Sequence, residues 1–205
     1  MKMTWLMGIL TVQSRLTLLM PRAFQLCEKI SSVNFPEVTF ASEYIFSGCK
    51  QLISADMPKL KRLTWCMFND CPNLKTVNLP EVLHAAARSF NFCPSLTSIK
   101  LPNLKSISDS TFCDCENLTT VILSPSITFI NSGRPFERCS NLQYIIIDDI
   151  TPKEIVVDVE GIRNQLSPEF KDKVILRSQF LAINEALNTN LTDDENISYL
   201  PLSGL

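Results

Sequence analysis

Eight cysteines and one histidine are the side chains of this 205-residue chain with the most obvious chemistry. A thiol or hydroxyl becomes a catalytic nucleophile when a base lies beside it and a third group orients that base. His84 is the sole imidazole, and it sits between Val82 and Ala85 in an apolar pair. It reads as a structural residue. Cys113-Asp114-Cys115 offers two thiols in a C-x-C arrangement, but a zinc site takes four ligands, usually from two such pairs. Asp148-Asp149 and Asp193-Asp194-Glu195 lack the spaced oxygen ligands of a calcium loop and read as solvated turns. Asn117-Leu118-Thr119, Asn190-Leu191-Thr192 and Asn196-Ile197-Ser198 fit the glycosylation pattern, at a frequency that chance explains in a chain rich in Asn and Thr. There is no Gly-rich phosphate loop, nucleophile elbow or His-Glu-x-x-His. The expectation is a protein with no catalytic residues, no metal and no cofactor.

The spacing of the cysteines carries more information than their reactivity. Phe24, Phe46, Phe68, Phe90 and Phe112 are 22 residues apart, and Phe136 follows after 24. Each is followed at the third position by a cysteine: Cys27, Cys49, Cys71, Cys93, Cys115 and Cys139. Self-similarity at that period defines a solenoid of stacked coils. The six thiols fall in one column facing one core, where free Cys behaves as a small hydrophobe. Stacked parallel side chains point the same way rather than at each other, so the column is expected to be reduced, with pairing within it the minor alternative. Cys66 and Cys113 lie outside the column, at positions filled in other coils mostly by polar residues, and are expected to be exposed. They are two coils apart, roughly 10 Å along the stack. Two incidental surface thiols are expected, with a redox-sensitive or intermolecular contact as the alternative.

Within one coil, Phe68, Cys71 and Leu74 are three apart, which suits a tight 3₁₀-like turn. Val77 and Leu79 then alternate as in a strand. The buried strand pairs are Val33/Phe35, Ala55/Met57, Val77/Leu79, Ile99/Leu101, Val121/Leu123 and Ile145/Ile147. Pro36, Pro58, Pro80 and Pro102 end the strands, because proline cannot donate to the ladder. A second wall brings the chain back through Val38/Ala41, Leu60/Leu63, Val82/Ala85, Leu104/Ile107 and Ile127/Ile130. One extra residue on each side of Ile127–Ile130 accounts for the 24-residue step. Leu16 and Leu19 hold the same phase, so a partial coil precedes the first full one. Parallel strands of successive coils stack into one sheet, and stability is shared between neighbours.

The run Leu74-Lys-Thr-Val77-Asn-Leu79-Pro80, then Val82 and Ala85, then Ser89-Phe90-Asn-Phe-Cys93-Pro-Ser-Leu96 resembles the BspA-type leucine-rich repeat. The resemblance covers about residues 13–148. It departs where the family often places Gly after the second-wall residue; here stand Ser42, Thr64, Ala86 and Ser108. The resemblance implies a leucine-rich-repeat solenoid and a non-enzymatic, protein-binding role in adhesion or host interaction, at the cell surface or secreted.

The fold class expected is β-rich and mixed: right-handed stacked coils with a parallel sheet, closed by a small C-terminal α/β cap. Residues 1–12 read as a capping half-coil or a short signal peptide, 13–148 as the repeats, and 149–205 as cap and tail. In the cap, Ile155-Val156-Val157 is apolar and Ser167-Pro168-Glu169 is a helix start. Val174-Ile175-Leu176 reads as a strand. Ser178–Asn188 reads as a helix with Phe180, Ile183 and Leu187 on one stripe, and the tail from Thr189 as irregular. Net charge is −2, with no basic stripe to release counterions, so nucleic acid is not an expected partner. No run approaches the roughly 20 apolar residues of a membrane span. The partner expected is a protein; its identity and the oligomeric state are not written in the residues.

Strand side chains alternate, so the residues between the buried positions face outward. They form two columns: Ser32, Ser54, Thr76, Ser98, Thr120 and Tyr144, and Asn34, Asp56, Asn78, Lys100, Ile122 and Ile146. The stripe is polar in four coils and turns apolar and aromatic in the last two. Exposed apolar neighbours mark interaction sites, so this stripe is the expected binding surface. The same columns also simply suit a sheet surface, and the cap is placed to cover Ile146. An intracellular scaffold using the same face is the alternative, favoured by the reduced thiols.

Overall fold

The computed structural model describes residues 3–6, 9–12, 16–129, 134–149 and 157–190. In chain order the first strands are β1 (Met3–Leu6), β2 (Ile9–Val12), β3 (Leu18–Leu19), β4 (Ser32–Asn34), β5 (Phe40–Ala41), β6 (Ser54–Asp56) and β7 (Arg62–Leu63). Then come β8 (Thr76–Asn78), β9 (His84–Ala85), β10 (Ser98–Leu101), β11 (Ser106–Ile107), β12 (Thr120–Leu123), β13 (Thr128–Phe129) and β14 (Tyr144–Ile147). The C-terminal section holds α1 (Val159–Asn164), α2 (Pro168–Lys171), β15 (Val174–Leu176) and α3 (Arg177–Asn190).

Each coil has three sides, and the residues dictate each one. On the turn side, Cys49 N donates to Phe46 O at 3.1 Å and Leu52 N to Cys49 O at 3.1 Å. These are the i to i+3 bonds of a 3₁₀-like turn, as the three-residue spacing predicts. Two residues per turn adopt left-handed backbone: Arg22 and Leu26, Tyr44 and Gly48, Cys66 and Asp70, Arg88 and Phe92, Ser110 and Asp114. A non-glycine residue there costs about 1–2 kcal/mol. The conformation turns alternate N–H groups along the stack. Tyr44, Phe46 and Gly48 donate to Trp65, Met67 and Asn69 of the next coil at 3.0, 2.9 and 2.8 Å. Ser42, Thr64, Ala86 and Ser108 are not left-handed; the strained position lies two residues further on. Leu26 lies over Gly48, where a Cβ would meet Leu26 Cδ2 at 2.4 Å.

On the sheet side, β4, β6 and β8 pair in parallel, as do β10, β12, β14 and β15. The register advances by one coil, Ser54 opposite Thr76 and Val121 opposite Ile145. The ladder is interrupted between β8 and β10. Beside the gap Val77 is only half-buried, whereas Val33, Ile99 and Val121 are buried. At the start, β1 and β2 form an antiparallel hairpin whose second strand pairs in parallel with β4.

The second wall stacks β7, β9, β11 and β13, and separately β3 and β5. Here the register corrects one expectation. Ile107 pairs with Phe129, so Phe129 takes the inward position expected of Ile130, which lies outside the described residues. The step is still 22 residues at Leu101–Leu123 and at Ile107–Phe129, so both extra residues of the 24-residue step fall between Phe129 and Phe136 and not one on each side. In the entry turn Ser124 Oγ accepts from Ser126 N at 3.2 Å.

The core is a stack of rings. Phe24, Phe46, Phe68, Phe90, Phe112 and Phe136 lie 5.2–5.7 Å apart, nearly parallel. Each buried Phe contributes on the order of 1.5–3 kcal/mol. The last ring is closed edge-on by Phe170 of α2 at 5.9 Å. Pro168 opens α2 as expected, and α1 is capped by Asp158, whose Oδ1 accepts from Gly161 N at 2.8 Å. β15 extends the sheet, Ile145 opposite Val174.

Candidate functional site

The cysteine column is a hydrogen-bonded spine. Cys49, Cys71, Cys93, Cys115 and Cys139 each donate Sγ–H to the carbonyl of Phe24, Phe46, Phe68, Phe90 and Phe112 in the coil before, at 3.0–3.2 Å. The carbonyls of Phe24, Phe46 and Phe112 also receive the cysteine N–H of their own turn. All eight cysteines are free thiols. Burial raises Cys49 to about 11 and pushes Cys71, Cys93 and Cys139 well above the ordinary value, and an un-ionised thiol is a poor nucleophile.

Cys66 and Cys113 are buried, not exposed. Cys66 lies beside Tyr44 of the coil before, and burial raises its pKa. Cys113 is covered by an ion pair that the sequence does not announce. Arg138 grips Asp114 through Nε at 2.5 Å and Nη2 at 2.7 Å. Nη2 also lies 3.6 Å from Cys113 Sγ, which in turn donates to Asp114 Oδ2 at 3.2 Å. Burial again dominates and pushes Cys113 up to about 11. Asp114 and Arg138 share one column, so a 24-residue offset brings them together. Neither thiol is poised as a nucleophile.

His84 stands in β9 with Nδ1 2.7 Å from Ser106 Oγ, one coil on. This is a base beside a hydroxyl, but no carboxylate orients it. Its charged neighbours are Arg62 and Lys105, which together with burial lower its pKa. Among the described residues no three His, Cys, Asp or Glu side chains converge as metal ligands. Asp148 and Asp149 are held by the protein itself, Asp148 by Arg177 at 3.1 Å and Asp149 by Ser178 N at 2.9 Å. Asn117 Nδ2 is bound to Pro94 O at 2.8 Å, part of a polar ladder between coils. Asn196 and Asp193-Asp194-Glu195 lie outside the described residues.

The sheet-face stripe divides in two. Thr76, Asn78, Ser98 and Lys100 are exposed, and Ser32, Asn34, Ser54 and Asp56 are half-buried. Inter-coil bonds join four of them: Ser32 Oγ to Ser54 Oγ at 2.7 Å, and Asn78 Nδ2 to Asp56 Oδ1 at 2.7 Å. The apolar end is not open. Thr120, Ile122 and Ile146 are buried and Tyr144 is half-buried. Over Tyr144 the cover is α3, which turns back over β14. Phe180 meets the Tyr144 ring edge-on at 5.1 Å, and Arg177 pairs with Asp148 on the same side of the strand. In α3 only part of the expected stripe packs: Phe180 is half-buried, Ile183 exposed.

A second exposed cluster was not singled out by the strand pattern. The outward column of the second wall reads Leu18, Phe40, Arg62, His84, Ser106 and Thr128. Leu18, Met20, Phe40 and Trp65 are between 45% and 64% exposed. The signal was available one residue before each buried Ala41, Leu63 and Ala85.

Coils of this period, with a parallel sheet and a phenylalanine spine, define a leucine-rich-repeat solenoid. The family profile described as BspA type leucine rich repeat region matches six copies over residues 6–103 and 84–156. The chain belongs to that family. In fold it is similar to a leucine-rich repeat protein from Bacteroides ovatus ATCC 8483, with a TM-score of 0.66 at 20% identity, covering 82% of this chain and 42% of that one. It is also similar to the leucine-rich repeat protein of T. pallidum, with a TM-score of 0.51 at 20% identity, covering 68% of this chain and 62% of that one. The chain thus spans less than two thirds of either structure. No curated protein matches it in sequence.

Proposed function

We propose that the chain is a non-enzymatic protein-binding module that acts at the cell surface or in secreted form, in adhesion or host interaction. The observation that carries this reading is the polar stripe of Thr76, Asn78, Ser98 and Lys100, exposed on β8 and β10 and backed by the phenylalanine stack. Asn78, already fixed by its bond to Asp56 of the coil before, loses little freedom on binding, and a rigid backing lowers the ordering cost of many weak contacts. The apolar residues of the expected stripe, Ile122 and Ile146, belong to the interior and leave the proposal. A second reading, an intracellular scaffold using the same face, draws support from the eight free thiols.

Binding of labelled full-length chain to intact cells tests the proposal, with the same cells shaved by protease as control. Saturable binding that disappears on shaving is expected, weakened about ten-fold by Lys100→Glu with Asn78→Lys. Binding that never saturates, or that survives shaving, would remove the protein-binding reading.

A further inference from the structure

The cluster on the second wall differs in character from the sheet stripe. Leu18 and Phe40 are register partners on adjacent coils. Met20 follows Leu18 by two residues, and Arg22 follows Met20 by two. The Arg22 guanidinium lies 5.2 Å from the centre of the Tyr44 ring, and Tyr44 meets Trp65 at 5.3 Å, tilted by 57°. Arg62 takes the next place in the Leu18–Phe40 column, where Lys61 N reaches Thr39 O at 3.2 Å. Large apolar side chains and guanidinium groups therefore lie along the second wall and the turn that follows it over the first three coils.

The charge on this face is unbalanced. Lys59 and Lys61 are paired with Glu37 and Glu81. Arg22, Arg62, Arg88 and Lys105 are exposed and make no ion pair among the described residues. Glu43 adds a carboxylate beside Tyr44 but pairs with none of them. The lowered pKa of His84 reports the same field, since Arg62 and Lys105 both contribute to it after burial.

We propose that this face, built on Leu18, Phe40, Trp65, Arg22 and Arg62, docks an acidic segment of a partner protein. Guanidinium forks take carboxylates in paired hydrogen bonds. Met, Phe, Tyr, Trp and Arg are the residues enriched in the cores of protein interfaces and among their energetic anchors. An acidic glycan would satisfy the arginines but leave Leu18, Met20 and Phe40 facing hydroxyl groups; a peptide segment carrying Asp or Glu beside apolar side chains satisfies both. The inference rests on the protein-binding reading but places a contact on the opposite wall.

The test is to pan a displayed library of random linear peptides against the immobilised full chain. Recovered peptides should combine Asp or Glu with Leu, Phe or Trp. Their affinity should fall about ten-fold or more on Arg62→Glu and on Trp65→Ala. Exchanging the peptide acid for Lys should restore binding to the Arg62→Glu variant. Both side chains are exposed, and unchanged circular dichroism of each variant confirms its fold. Peptides without acidic residues, or peptides indifferent to both variants, overturn the proposal. If they instead weaken on Lys100→Glu, the contact lies on the sheet face and the protein-binding reading stands. Heparin retention lost on Arg62→Glu, with no peptide recovered, assigns the face to an acidic glycan. Failure to recover either overturns it outright.

Discussion

At the scale of the residue, the cysteine of each coil is both filler and donor. Its sulfur completes the coordination of a phenylalanine carbonyl in the coil before, a role serine would fill at a higher desolvation cost. This role predicts how stability depends on pH. Burial raises Cys49 from 9.0 to about 11 and pushes Cys71, Cys93 and Cys139 up further. An unfolded thiol ionises near 9.0 while the folded one stays protonated, so the unfolded chain loses protons first as pH rises. The contribution is complete below pH 9 and is lost as pH climbs from 9 through 11. The urea midpoint should fall across that window, and fall less in Cys93→Ala. A flat midpoint would show that the column is not buried as thiols. The column itself was legible in the sequence, because six cysteines share one phase. The burial of Cys66 and Cys113 was not, because it depends on Tyr44 and on the Arg138–Asp114 pair lying over them, contacts between coils that no single coil contains.

At the scale of the element, the strands and turns follow from spacing alone, since period-two and period-three apolar positions leave no other way to bury both. Register was less accessible. Ile127 and Ile130 satisfy the spacing on paper, yet the ladder aligns Phe129 with Ile107. Inter-coil hydrogen bonding, not hydrophobicity, decides between them. A cap over Ile146 was expected, but the burial of Ile122 one coil before it was not, since alternation fixes which side a residue faces but not what lies there. The interruption between β8 and β10 has a measurable consequence. Lys75 N donates to Ile53 O at 2.8 Å and Met57 N to Asn78 O at 3.1 Å, whereas the equivalent amides across the gap, Thr97 and Leu79, have no such partner. Hydrogen exchange should therefore be faster at Thr97 and Leu79 than at Lys75 and Met57. Equal protection at all four would mean that the sheet is continuous in solution.

At the scale of the whole molecule, the repeat gives the architecture and leaves the partner open. Coils that bury one another's faces produce an extended surface, and the exposed groups are those no neighbouring coil needed. The polar half of the sheet stripe was legible because it alternates with the core. The aromatic and cationic face of the second wall was missed because its strands are two residues long and show no alternation. Among the described residues no helix is long and apolar enough to cross a membrane. The central claim, a binding module displayed outside the cell, is tested most directly by labelling intact native cells with a membrane-impermeant reagent and then fractionating them. The account predicts labelled protein in the envelope or the medium. Unlabelled protein confined to the cytosol would contradict it and leave the intracellular scaffold in its place.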